Sequence, residues 1–146
     1  MVAGHSAGGQ LALWIGSRSG REAFKPAGVV SLAGITDMAA YGAASGSCNV
    51  AVTPLMGGTA AEQPERYREV SPIERTPIPV PVRIVHGTRD PIVPLAQSES
   101  FVERDRAAGG RVELEVVPGL GHFDLVAPTT DAWPALVRAV RALASP

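Results

Sequence analysis

The chain of 146 residues suits one domain rather than two. With 45% hydrophobic and 18% charged residues and a net charge of -1, it is too apolar to stay disordered and lacks the positive excess of a nucleic-acid surface. No apolar run approaches the roughly 20 residues that span a bilayer, and the start lacks the charged-then-apolar order of a secretory signal, so no membrane partner is expected.

Met1-Val2-Ala3-Gly4 reads as the last turn of a buried strand. After Gly8-Gly9 the residues Ala7, Leu11, Trp14 and Ile15 share a helical spacing, and Gly16 to Gly20 supplies the stop. The order is strand stub, sharp turn, helix. Gly28 to Gly34 is a short apolar run between glycines, the pattern of a strand covered on both faces. Val80 to His86 is a second strand, entered through Pro77, Pro79 and Pro81, whose fixed φ holds the chain extended. Leu95 to Arg106 follows as a helix closed by Gly109-Gly110.

In the third strand, Val112 to Val117, Glu113 and Glu115 alternate with apolar residues. One face is therefore wet, which places this strand near a sheet edge. Trp133, Leu136, Val137, Val140 and Leu143 form an amphipathic closing helix. Strands alternating with helices imply an α/β fold with a parallel sheet, whose active site lies at the carboxyl ends of the strands.

Residues 38 to 79 break this alternation. They are rich in Gly, Ala, Ser and Pro and contain one short helix opened by Thr59, with Glu62 at capping-box spacing. A strandless segment of this length reads either as a lid or substrate-facing excursion or as a plain surface connection. The single cysteine, Cys48, lies within it and excludes an internal disulfide, so the expected compartment is the cytoplasm.

The chemistry begins at Gly4-His5-Ser6-Ala7-Gly8, a Gly-x-Ser-x-Gly pattern placed where an apolar stub meets a helix. In such a nucleophile elbow a tight turn exposes the serine oxygen, and side chains two residues either side of it are expected to collide. A serine hydroxyl needs a base within hydrogen-bond reach, itself oriented by a carboxylate. Of the three histidines, His5 sits beside the serine and is read as structural or pocket-lining. His86 ends a strand and is read as buried, its ring satisfied by backbone. His122, in a flexible turn after the third strand, is the candidate base. Asp90, following the second strand, is the favoured carboxylate. Asp37, beyond the first strand, is its rival, while Asp124 shares a loop with His122 and is harder to orient. The order Ser6, Asp90, His122 is that of the α/β-hydrolase architecture.

The stretches Gly4 to Trp14, Ser71-Pro72, His86 to Pro94 and Gly121 to Asp124 together resemble the C-terminal half of an α/β-hydrolase. The resemblance is strongest to the acetyl-esterase/lipase and kynurenine-formamidase-like group, related to prolyl-oligopeptidase catalytic domains. It implies a serine hydrolase of carboxylic esters or small amides. Ser6 would attack, His122 shuttle the proton and Asp90 orient His122, through an acyl-enzyme and without metal or organic cofactor. The Ala7 N–H would serve the oxyanion. In that family an upstream half supplies further strands and a glycine-rich oxyanion loop, so the expectation is a partial domain with Met1 internal to its strand. Its open sheet edge is expected to favour self-association, and loss of an oxyanion donor costs about a hundred- to a thousand-fold in turnover. The alternative is a catalytically impaired fragment or interaction module. Tyr41, Met56 and Phe123 are candidate walls of an apolar acyl pocket, with core packing as the competing role for Met56.

Overall fold

A computed structural model describes residues 1–20, 25–46 and 48–144. Four parallel strands, β1 (Val2–His5), β2 (Val29–Leu32), β3 (Val82–Gly87) and β4 (Val112–Val117), lie side by side in chain order. Parallel neighbours need crossovers, and helices provide them: α1 (Ala7–Ser17) between β1 and β2, and α5 (Leu95–Ala107) between β3 and β4. The closing helix α6 (Ala132–Ala144) follows β4. The N-terminal stub is thus a paired strand, His5 standing opposite Leu32.

Residues on successive strand positions face opposite ways, and two hydrophobic layers follow from that alternation. Val29, Val82, Ile84 and Val112 pack against Ala12 and Leu13 of α1 and Phe101 and Val102 of α5. Val30, Leu32 and Val85 pack instead against Ala132, Ala135, Ala139 and Leu143 of α6. β2 is buried at every position. β4 is an outer strand, as its alternation implied, and its glutamates are used: Glu113 pairs with Arg83 of β3 and Glu115 with Arg138 of α6.

The segment 38–79, of which residue 47 lies outside the described residues, holds three short α-helices, α2 (Met38–Ala43), α3 (Val52–Met56) and α4 (Pro64–Val70), and two 3-10 turns at Asn49–Ala51 and Pro72–Arg75. Thr59 and Glu62 do make reciprocal contacts, the Thr59 N–H donating to Glu62 Oε2 at 2.8 Å and the Glu62 N–H to Thr59 Oγ1 at 3.3 Å. They close a turn rather than open a helix. The helix starts at Pro64, whose missing N–H and preset φ suit a first helical position. The segment has its own core of Met38, Tyr41, Val52, Met56 and Tyr67, joined by Ile35 and Val93. It is docked on α1 by the Gln10 amide donating to Val70 O at 2.7 Å and the Trp14 indole donating to Glu69 O at 2.9 Å.

Candidate active site

The turn between β1 and α1 is strained. Ser6 takes φ 57°, ψ -122°, a conformation that costs a non-glycine residue roughly 1–3 kcal/mol. Two bonds hold it there: the Ser6 N–H extends the sheet ladder to Leu32 O at 2.8 Å, and the Ser6 carbonyl accepts the Gln10 N–H of the first helical turn at 3.1 Å. Ala7 opens α1, so its N–H belongs to the set that a helix leaves without an intrahelical acceptor.

The glycine requirement is only half as the spacing suggested. A Cβ on Gly4 would overlap the carbonyl oxygen of Gly8, whereas a Cβ on Gly8 would meet nothing within 4 Å. The second crowded position is Gly9, where a Cβ would fall 2.8 Å from the Cα of Gly34 and 2.8 Å from Ser31 Oγ. Gly9 lets α1 sit directly on the end of β2.

At the end of β3, Gly87 makes room for another loop, since a Cβ there would overlap the carbonyl of Leu120. The Arg89 N–H donates to that same carbonyl at 2.9 Å, and the Gly119 N–H to Thr88 Oγ1 at 2.8 Å. These contacts bring the segment after β4 to Asp90. The buried Asp90 carboxylate divides its work between two oxygens. Oδ1 accepts the N–H groups of Ile92 at 2.9 Å and Val93 at 2.8 Å, which fixes the turn, and Oδ2 accepts from His122 Nδ1 at 2.6 Å. With its hydrogen on Nδ1, neutral His122 keeps a lone pair on Nε2, the form a general base requires.

His86 is fully buried behind this pair. Its Nε2–H donates to Val93 O at 2.9 Å and its Nδ1 lies 2.7 Å from Ser98 Oγ, which donates to it. Desolvation pushes its pKa below the usual histidine value, so it is held neutral, and it braces the Asp90 turn through Val93. The reading of a buried ring satisfied by backbone holds, with the Ser98 hydroxyl as an added partner.

His5 is brought to the same place. Its ring centroid lies 4.3 Å from that of His122 and 6.0 Å from that of Phe123, and its Nε2–H donates to the His122 carbonyl at 2.9 Å. Ser6 follows His5 directly in the chain. The rival carboxylate goes elsewhere: Asp37 caps α2, its Oδ1 accepting from Ala39 and Ala40, both at 2.9 Å. Asp124 closes its own loop, Oδ2 accepting the Gly121 N–H at 2.7 Å.

Of the expected pocket walls, Tyr41 and Met56 are core residues of the 38–79 segment, and Met56 also lines the groove between that segment and α1. Phe123 is 68% exposed and meets the His122 ring edge-on at 5.3 Å. An open groove of about 740 Å³ runs between α1 and the excursion, its apolar lining made by Leu11, Met38, Leu55, Met56 and Val70. Among the described residues no group of three His, Cys, Asp or Glu side chains could hold a metal ion, and no helix is long and apolar enough to cross a membrane.

A model of the prolyl oligopeptidase family matches residues 1–136. Over 71 residues the chain is 44% identical to Esterase LipC of Mycobacterium tuberculosis, a match covering 47% of this chain and 18% of that protein. A truncated carbohydrate esterase from gut microbiota shares the fold with a TM-score of 0.76 at 23% identity, covering 97% of this chain and 58% of that one. Acylaminoacyl peptidase from Pyrococcus horikoshii superposes with a TM-score of 0.75 at 21% identity, covering 94% of this chain and 22% of the other. The chain thus spans under two thirds of the length of each.

Proposed function

The chain belongs to the prolyl oligopeptidase family, a hydrolase family of the α/β-hydrolase fold, and from that premise we propose that it cleaves carboxylic esters or small amides through Ser6, His122 and Asp90. The observations that support the reading are the 2.6 Å bond between His122 Nδ1 and Asp90 Oδ2 and the strained strand-to-helix turn at Ser6. In this reading Ser6 Oγ attacks the carbonyl carbon as its proton passes to His122 Nε2. The carboxylate of Asp90 then stabilises the imidazolium across that bond. The oxyanion is met by the Ala7 N–H and the positive end of α1. Collapse expels the alcohol or amine with the proton from His122, and water repeats the sequence on the acyl-enzyme. Nucleophilic and acid–base chemistry of this kind needs no metal or organic cofactor.

The names of the similar proteins support esters and acylated amines as substrates. Exposed Phe123, in edge contact with His122, would offer an aromatic wall to the group being transferred or released. Hydrolysis of p-nitrophenyl acetate by the purified chain, lost in Ser6→Ala at unchanged thermal stability, is the expected result. Equal turnover by Ser6→Ala would refute the assignment.

One observation favours a second reading, in which the chain binds a partner instead of turning over substrate. β1 is an outer strand whose only pairing among the described residues is with β2, and such an edge is a template for another strand. Sedimentation separates the two: a compact monomer that hydrolyses the ester supports the enzyme, and an inactive self-associated species supports the module.

A further inference from the structure

We propose that His5 is a positioning residue, which fixes the distance between Ser6 and His122 by holding the His122 backbone against the elbow. The inference rests on the triad proposed above and concerns how its halves are kept together. β1 and β4 are the two outer strands of a four-stranded sheet, so their axes lie about 14 Å apart at the usual spacing of 4.8 Å. The segment leaving β4 must therefore travel back across the strand ends to meet the serine. Its ties run to the exit of β3: Arg89 N–H to Leu120 O, Gly119 N–H to Thr88 Oγ1, and His122 Nδ1–H to Asp90 Oδ2. Others close the segment on itself: Gly121 N–H to Asp124 Oδ2, and Thr130 Oγ1–H to Asp124 O. These set His122 relative to Asp90, and Leu125 seats the segment in the cluster with Val30 and Leu32 of β2, but none of them is a polar tie to β1.

His5 supplies that polar tie. It is the last residue of β1, so its backbone is held by the sheet, and Ser6 is bonded directly to it. Its Nε2–H donates to the His122 carbonyl at 2.9 Å and its ring packs on the His122 ring at 4.3 Å. One side chain thus links the nucleophile's own strand to the backbone of the base. Burial, and next the nearby His122, push the His5 pKa down. His5 accordingly stays neutral when His122 takes the serine proton, and the contact does not become a pair of like charges.

The test compares His5→Phe, which keeps an aromatic ring and loses the donor, with His5→Gln, whose amide can reach the same carbonyl. Because an ångström of misplacement costs about a hundred-fold in rate, His5→Phe should lower kcat ten- to a hundred-fold with KM within twofold and the unfolding temperature preserved. His5→Gln should recover most of kcat. Amide hydrogen exchange over 120–124 should quicken in His5→Phe and return toward wild type in His5→Gln. Wild-type kcat in His5→Phe, or equal loss in both variants, overturns the proposal. If the wild-type chain hydrolyses no ester, the triad reading fails. The exchange comparison still decides the positioning role, since unchanged exchange in His5→Phe refutes it.

Discussion

Adding one methyl group at each of three neighbouring glycines separates what the elbow needs from what the sequence pattern suggests. At Gly9 a Cβ would stand 2.8 Å from the Cα of Gly34 and from Ser31 Oγ, about 1 Å inside normal carbon contact distance. Gly34 is backbone and Ser31 is fully buried in β2, so neither can yield without moving α1 off the sheet. Overpacking of this kind costs about 1–3 kcal/mol. At Gly4 the clash is with the backbone carbonyl of Gly8, within the turn itself, and the loss should be at least as large. At Gly8 a Cβ meets nothing within 4 Å. An alanine in this first turn of α1 should therefore be neutral or should stabilise by up to about 0.5 kcal/mol. Urea unfolding reads the difference: with m near 2 kcal/mol/M, the midpoints of Gly8→Ala and Gly9→Ala should differ by about 1 M. If Gly8→Ala falls as far as Gly9→Ala, or Gly4→Ala matches wild type, this account of the turn is wrong.

The two carboxylates at strand ends should behave oppositely in steady-state assays. Asp90→Asn should lower kcat by about four orders of magnitude, because an amide N–H facing His122 Nδ1 selects the wrong tautomer. Asp37→Ala should leave kcat within twofold while costing about 1 kcal/mol through the lost cap of α2. Asp105 is fully buried, accepts the Ile78 N–H at 2.8 Å, and has its pKa raised by that burial. Stability from a raised carboxyl is complete below its ordinary value near 3.8 and is lost as pH climbs through the folded-state value. The unfolding free energy of Asp105→Asn relative to wild type should therefore improve from pH 4 to pH 7, and a constant or opposite difference would contradict it. His86, with its pKa lowered by desolvation, contributes stability that is present above 6.5 and lost as pH falls below it. Its ring resonances in an NMR titration should move only below pH 6.5.

What could be read in the sequence is what local pattern carries. The alternating glutamates of β4 marked an outer strand because their partners, Arg83 and Arg138, lie on its wet face. The elbow was legible as a strand stub and helix around a Gly-x-Ser-x-Gly. The role of Gly9 was hidden because its constraint comes from Gly34, across the α1–β2 contact. Asp37 and Asp90 both follow strands, and spacing alone ranked them without separating them. The separation comes from where each carboxylate finds N–H donors: Asp37 at the start of its own helix, Asp90 in a turn that leaves Oδ2 for His122. The helices of residues 38–79 run five to seven residues, too short to display a 3.6-residue period. The contact of His5 with the His122 carbonyl spans 117 positions and ends on backbone, which no residue type at the far end can advertise.

In the proposed function Ser6 is a nucleophile activated by His122. Labelling the purified chain with a fluorophosphonate and mapping the adduct by peptide mass spectrometry tests it directly. One adduct is expected, on Ser6, formed at least a hundred-fold more slowly in His122→Ala and not at all in Ser6→Ala. An adduct on another serine, or a rate on Ser6 indifferent to residue 122, would contradict it.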